Sequence, residues 1–202
     1  MLDFEKIANF VFSNKKQLQM SESRQGITVY GASSPRISEE YFTAARAVGR
    51  EIALAGVPLI NGAGSRGLMG ASIEGAREAG GECIGVIPRF MAEKGWQHPL
   101  LTELRVTETM HERKALMASL ARGVIALPGG IGTFDELCEI ITWRQLGLFK
   151  GPVVLLDTLG YYRPFMEMLR HAEEQDFMRP VKRTLYTVTE DPAEAVRMAL
   201  NE

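Results

Sequence analysis

The segment Pro128-Gly129-Gly130-Ile131-Gly132-Thr133-Phe134-Asp135-Glu136 carries residue types suited to chemistry on an anion. Glycines at 129, 130 and 132 let backbone N–H groups approach a ligand. A helix starting just beyond them adds its unpaired N–H groups and the positive end of its dipole. A phosphate is the natural occupant. Asp135 and Glu136 crowd two carboxylates against that anion site, an unfavourable arrangement unless one of them is used. Thr133 and Glu136 also read T-x-x-E, the spacing of a capping box, in which Glu136 only bonds the start of its own helix. The two roles coexist only if Glu136 turns toward the ligand.

Positive charge comes from Met110-His111-Glu112-Arg113-Lys114, which opens a predicted helix. Cations at a helix start oppose the dipole and are better placed there when an anion is close. The bland reading is a solvated basic face. Arg89, at a predicted strand end, is a further candidate contact, with a plain surface arginine as the competing reading. Gly31-Ala32-Ser33-Ser34 offers N–H groups and hydroxyls to the same crevice. A second glycine loop runs Asn61-Gly62-Ala63-Gly64-Ser65-Arg66-Gly67 and matches G-x-G-x-x-G, so Gly62 and Gly64 join the candidates. A dinucleotide site also wants an acidic residue at the far end of the next strand. That strand ends Ile87-Pro88-Arg89, and Glu82 precedes it. No Lys-Ser/Thr follows the glycines, so this is not a P-loop. A tight strand-to-helix turn explains much of the pattern.

These residues must be positioned by alternating strands and helices. Short apolar runs at 27–31, 57–60, 83–87, 123–127 and 152–156 read as strands, with a weaker one at 185–189. Helical stretches fall at 38–55, 68–79, 110–121, 134–147, 161–175 and 191–200. Apolar runs without alternation suit strands covered on both faces. The expectation is an α/β, Rossmann-like, doubly wound and mostly parallel sheet with helices on both faces. Ligands then sit beyond the carboxyl ends of the strands. Phe4, Ile7, Ala8 and Val11 form one amphipathic stripe, so residues 1–25 read as a helix and linker appended to a single catalytic domain at 26–202.

A chain of 202 residues suits one such domain, and a formal charge of −2 gives no general pull toward nucleic acid or an anionic membrane. No apolar run reaches membrane-spanning length, and the start does not read as a secretory signal. Cys83 and Cys138 are isolated, and His98, His111 and His171 are dispersed without metal-ligand spacing. The expectation is a cytoplasmic protein with no metal and no cofactor.

Taken together the motifs resemble those of the LONELY GUY (LOG) family of cytokinin-activating phosphoribohydrolases. PGGIGTFDE fits its PGGxGTxxE, MHERK fits its MHxRK, and GAGSRGLMG is similar to its GGGxxGLMG. EIITWRQLG at 139–147 and IGVIPRFM resemble two further family segments. The first strand departs from it, ending in Tyr30-Gly31-Ala32-Ser33-Ser34 where the family often has a Cys-Gly-Ser-Ser type segment. Residues 91–101 depart as well, with Glu93 the nearest carboxylate.

The resemblance implies a Rossmann-like homodimer that hydrolyses an N6-modified adenosine 5′-monophosphate to free base and ribose 5-phosphate. It implies Arg113 and Glu136 as the catalytic pair, with Met110, Lys114, Gly130, Ile131, Gly132, Thr133 and Thr142 at the substrate. The transition state is oxocarbenium-like, by analogy with glycoside hydrolysis. Glu136 takes the carboxylate role, and a seat near a helix N-terminus favours its ionised form. A guanidinium is a poor proton donor near neutrality, so Arg113 reads as a fixed cation. The alternatives are a general purine nucleotide nucleosidase, a non-catalytic nucleotide sensor and, disfavoured, a dinucleotide oxidoreductase.

Overall fold

The structure, a computed structural model, describes residues 25–178 and 184–201. The helix expected at residues 4–11 lies outside them. In chain order the elements are β1 (Gly26–Tyr30), α1 (Glu39–Leu54), β2 (Leu59–Asn61), α2 (Gly67–Glu78), β3 (Cys83–Pro88), α3 (Arg89–Ala92), β4 (Glu103–Thr107), α4 (Met110–Ser119), β5 (Ala121–Ala126), α5 (Ile131–Gln145), β6 (Val153–Leu156), α6 (Arg163–Glu174), β7 (Thr187–Thr189) and α7 (Pro192–Leu200). A single 3-10 turn, Thr158–Gly160, precedes α6.

The strands are apolar because both faces of the sheet are covered. On one side Ile27, Val29 and Ile125 pack against Val48 and Ile52 of α1, Ile73 of α2 and Val196 of α7. On the other, Tyr30, Val124, Ala126 and Leu155 meet Met117 of α4 and Leu137, Ile140 and Ile141 of α5. Each fully buried Ile or Leu stabilises the fold by roughly 1.5–3 kcal/mol. That burial, on alternating faces of one strand, leaves no polar alternation in the sequence.

All pairings are parallel, in the order β4-β3-β2-β1-β5-β6-β7. The chain builds outward from β1 to β4, then crosses back to β5 on the other side of β1. The reversal between β1 and β5 opens a crevice at their carboxyl ends, the usual ligand seat of such sheets. The loops there are laced together. The Ala32 N–H donates to the Pro128 carbonyl at 3.1 Å, and the Leu68 N–H donates to the Ala32 carbonyl at 2.8 Å. Three glycine-containing loops therefore stand side by side.

Three elements depart from expectation. The one-turn helix α3 is not among the expected helices, nor is strand β4 among the expected strands. It is an edge strand, mostly exposed and carrying Glu103 and Arg105, so it lacks the apolar run of a covered strand. Helix α5 begins at Ile131, ahead of the expected 134. No helix among the described residues is long and apolar enough to cross a membrane.

Candidate active site

The early start of α5 decides what Glu136 can do. Gly130 is the N-cap and has no side chain to bond the first turn; Thr133 lies inside the helix and is buried. The capping box expected from Thr133 and Glu136 does not form. That device occurs one helix earlier, where the Thr109 hydroxyl accepts from the Glu112 N–H at 3.1 Å and the Glu112 carboxylate accepts from the Glu108 N–H at 2.8 Å. At α5 the first N–H groups are left without intrahelical acceptors. A side chain built on Gly130 or Gly132 would meet nothing within 4 Å, so the loop is open in front. Gly129 is packed instead, its missing Cβ site 2.1 Å from the Thr133 hydroxyl oxygen.

Arg113 reaches this crevice from α4 and is buried. Its Nε donates to the Val86 carbonyl at 3.1 Å and its Nη2 to the Gly62 carbonyl at 3.2 Å. The Met110 sulfur lies 3.8 Å from Nη1. The clamp requires a glycine at 62, since a Cβ there would stand 1.7 Å from Nη2. Asn61 shapes the same turn, its side-chain oxygen accepting from the Ala63 N–H at 2.9 Å. Ala63 is held at φ 64°, a left-handed conformation uncommon outside glycine. Gly62 thus serves Arg113. Gly64 is bridged to Gln97 in the segment that covers the loop.

The Glu136 carboxylate stands 3.9 Å from Arg113 Nη2. That is ion-pair range but beyond hydrogen-bond length, so both carboxylate oxygens remain available. Burial pushes the Glu136 carboxyl up to about 7, with Arg113 and Lys114 pulling it down and Asp135 and Glu139 adding to the rise. Loss of solvent thus opposes the ionised form that a seat near a helix N-terminus favours. At neutral pH the group is poised between its two states.

The other expected residues divide. Lys114 is nearly buried and tied to α5, with its Nζ 3.0 Å from Asp135 and 3.3 Å from Glu139. Loss of solvent opposes its charge, but the two carboxylates outweigh that and raise its pKa. It adjoins Glu136 as a cation paired with these two carboxylates. Arg89 has another partner: it is exposed and holds Glu108 in a forked pair, Nε to Oε1 at 3.0 Å. This is the surface reading. Gly31 is buried at the foot of the crevice and Ser33 is exposed beside it. Thr142 lies on the outer face of α5, its hydroxyl donating to the Cys138 carbonyl at 2.7 Å. With Ile131, Phe134, Cys138 and Trp143 it lines an open groove of about 440 Å³. Thr142 is eleven residues past Ile131, roughly 16 Å along the helix, so one ligand phosphate cannot touch both.

Tyr161 and Tyr162 escape the sequence reading, and Tyr30 is read only as a departure at the end of the first strand. Tyr161 donates to the Gly129 carbonyl at 2.5 Å and Tyr162 to the Leu127 carbonyl at 2.7 Å. Tyr30 is buried at the end of β1 within the field of Glu136, Glu139 and Arg113. No spacing rule marks them, because their partners are main-chain groups of other loops. Only Asn61, before a glycine, carried a local turn signal.

The family model described as "Possible lysine decarboxylase" matches residues 69–199. The cytokinin riboside 5′-monophosphate phosphoribohydrolase of Rhodococcoides fascians is 40% identical over 174 residues, covering 86% of this chain and 88% of that protein. This chain belongs to the LOG family. An Arabidopsis thaliana member of the same name is 36% identical over 182 residues, 90% of this chain and 84% of its own. The LOG chain is also similar to the solved molybdenum cofactor carrier protein of Chlamydomonas reinhardtii, with a TM-score of 0.66 at 26% identity, over 86% of this chain and 94% of that one.

Proposed function

We propose that this chain hydrolyses the N-glycosidic bond of a nucleoside 5′-monophosphate, with an N6-modified adenosine 5′-monophosphate as the substrate that yields an active cytokinin. The observation that carries the reading is a mostly buried carboxyl at Glu136, beside the clamped Arg113 and next to the open N-terminus of α5. The family relatives act, by their names, on cytokinin riboside 5′-monophosphates.

In this reading the phosphate rests on the N–H groups of Gly130, Ile131, Gly132 and Thr133. Holding the phosphate orients the ribose, so binding remote from the reacting carbon lowers the barrier. The C1′–N bond breaks and its electron pair leaves with the base, which takes up a proton. Ionised Glu136 stabilises the positive sugar and accepts a proton from the water whose oxygen joins C1′. A carboxyl titrating near 7 can take that proton and release it to solvent within one cycle. Arg113, whose Nε and Nη2 are held by carbonyls, is a fixed cation that orients the phosphate or the leaving base.

The exposed apolar side chains at the start of α5 and in the turn after it support a homodimer. Ile131 is 87% exposed, and Leu146 and Leu148 are also well exposed. A second copy laid on these side chains would cover them and bring its own Thr142 to the groove. Two free cysteines, Cys83 and Cys138, fit a reducing cytoplasm.

The test is a product assay. The protein is incubated with AMP, GMP, CMP and isopentenyl-adenosine monophosphate, and free base is measured by chromatography. Base release favouring the N6-modified substrate supports the reading, and equal release from AMP makes the chain a general nucleosidase. Tight binding of every nucleotide with no base released would reject hydrolysis.

A further inference from the structure

The 3-10 turn between β6 and α6 is unusually constrained for a surface connection. Leu159 holds φ 56° although it is not glycine, and its side chain is mostly exposed, so packing does not compensate the strain. The turn is fixed from below by buried Asp157. Its carboxylate accepts from the Tyr162 N–H at 2.6 Å and its carbonyl from the Gly160 N–H at 2.9 Å. What this geometry delivers is a pair of tyrosine hydroxyls to the chain leading into α5. The Tyr161 ring is wedged there, stacked on Phe134 at 6.5 Å and edge-on to Tyr41 at 6.2 Å and Tyr162 at 5.3 Å.

The Tyr161 hydroxyl donates to the carbonyl of Gly129. The peptide unit that follows is planar, so its carbonyl and the Gly130 N–H point in opposite directions. With glycine on both sides the unit has little intrinsic preference for either orientation. Pinning the carbonyl therefore turns the Gly130 N–H away from Tyr161, and a side chain built on Gly130 would meet nothing within 4 Å, so there is room for a ligand beside this peptide.

We propose that Tyr161 is a positioning residue for phosphate binding, its hydroxyl fixing the Gly129–Gly130 peptide so that the Gly130 N–H faces the anion. The proposal rests on the reading of the 128–133 loop as the phosphate seat. Tyr162 supplies an internal control. It makes the same kind of bond to the Leu127 carbonyl, but the next residue is Pro128, and that peptide has no N–H to present.

The test compares Tyr161→Phe and Tyr162→Phe in the full chain. Readouts are steady-state kinetics with a nucleoside 5′-monophosphate and thermal-shift titration with inorganic phosphate and ribose 5-phosphate. Tyr161→Phe should raise KM and weaken both ligands by about tenfold, with kcat within roughly threefold of wild type, the effect of one lost N–H contact. Tyr162→Phe should lower Tm while KM and ligand affinity stay as in wild type. Unchanged ligand affinity in Tyr161→Phe overturns the proposal, and so does an equal loss in Tyr162→Phe, which would make both bonds simple packing. A wild type that binds ribose 5-phosphate yet releases no base defeats the hydrolase reading alone; the titrations still decide the role of Tyr161.

Discussion

Arg113 and Glu136 come from different helices and meet at 3.9 Å, close enough to feel each other's charge and too far to hydrogen-bond. The guanidinium is held by the Val86 and Gly62 carbonyls, so it does not depend on Glu136 for its position. The carboxyl, mostly buried, has no hydrogen-bonded partner among the described residues. One member of the pair is thus fixed by main-chain carbonyls and the other is not.

Glu136→Gln should lower kcat by on the order of 10² or more, the usual effect of losing a positioned acid–base group. The same substitution should stabilise the protein at alkaline pH. A carboxyl with a native pKa of about 7 against 4.5 keeps its proton when folded and loses it when unfolded between those values. The unfolded state then binds fewer protons, so stability falls as pH rises through that window and stays low above it. The full difference is on the order of 3 kcal/mol. Thermal melts at pH 4.5 and pH 8 should show the variant gaining at pH 8 and little at pH 4.5. A loss of Tm at pH 8 contradicts the assignment.

The rate profile of the wild type should rise with pH through an acidic limb near 7, since the ionised carboxylate is the working form. Lys114→Ala removes a group that lowers the Glu136 pKa and should move this limb upward, because the acidic form becomes easier to keep. The measurement is kcat/KM from pH 5 to 9 for both proteins. A limb left near 4.5 in the wild type is the contrary result.

Gly62→Ala places a methyl group 1.7 Å from Arg113 Nη2, so the guanidinium must leave its clamp. Activity should fall by about 10², comparable to losing Arg113 itself. A double-mutant cycle checks the cause. In an Arg113→Ala background the added methyl has no guanidinium to displace, and its stability cost should largely vanish. Additive losses would place the clash elsewhere.

Thr109→Ala removes a hydroxyl that caps α4 and should cost roughly 0.5–2 kcal/mol. Thr133→Val, which removes the hydroxyl but keeps the side-chain shape, should cost no capping energy because Gly130 holds the N-cap position. Urea unfolding of the two variants separates the capping box that forms from the one that does not.

Residues 26–202 could be read as a doubly wound sheet because their covered strands are continuous apolar runs and their helices have clear period. The sequence also announced the anion loop and the basic start of α4, since both are local patterns of glycine and charge. Strand β4 is not legible in the sequence because an edge strand is half solvated and carries Glu103 and Arg105. What the sequence by itself determined was therefore the set of chemical parts and the strand ends that bear them.

Tertiary structure alone decided how those parts act. Gly130 begins α5, so Glu136 is no capping residue. Arg113 is clamped by carbonyls from two other strand ends, Arg89 is drawn off by Glu108, and Lys114 is shared by Asp135 and Glu139. The physical reason is that hydrogen-bond partnership and desolvation depend on which segments become neighbours. Main-chain carbonyls, which carry no sequence signature, supply the partners that hold Arg113 and receive the two tyrosine hydroxyls.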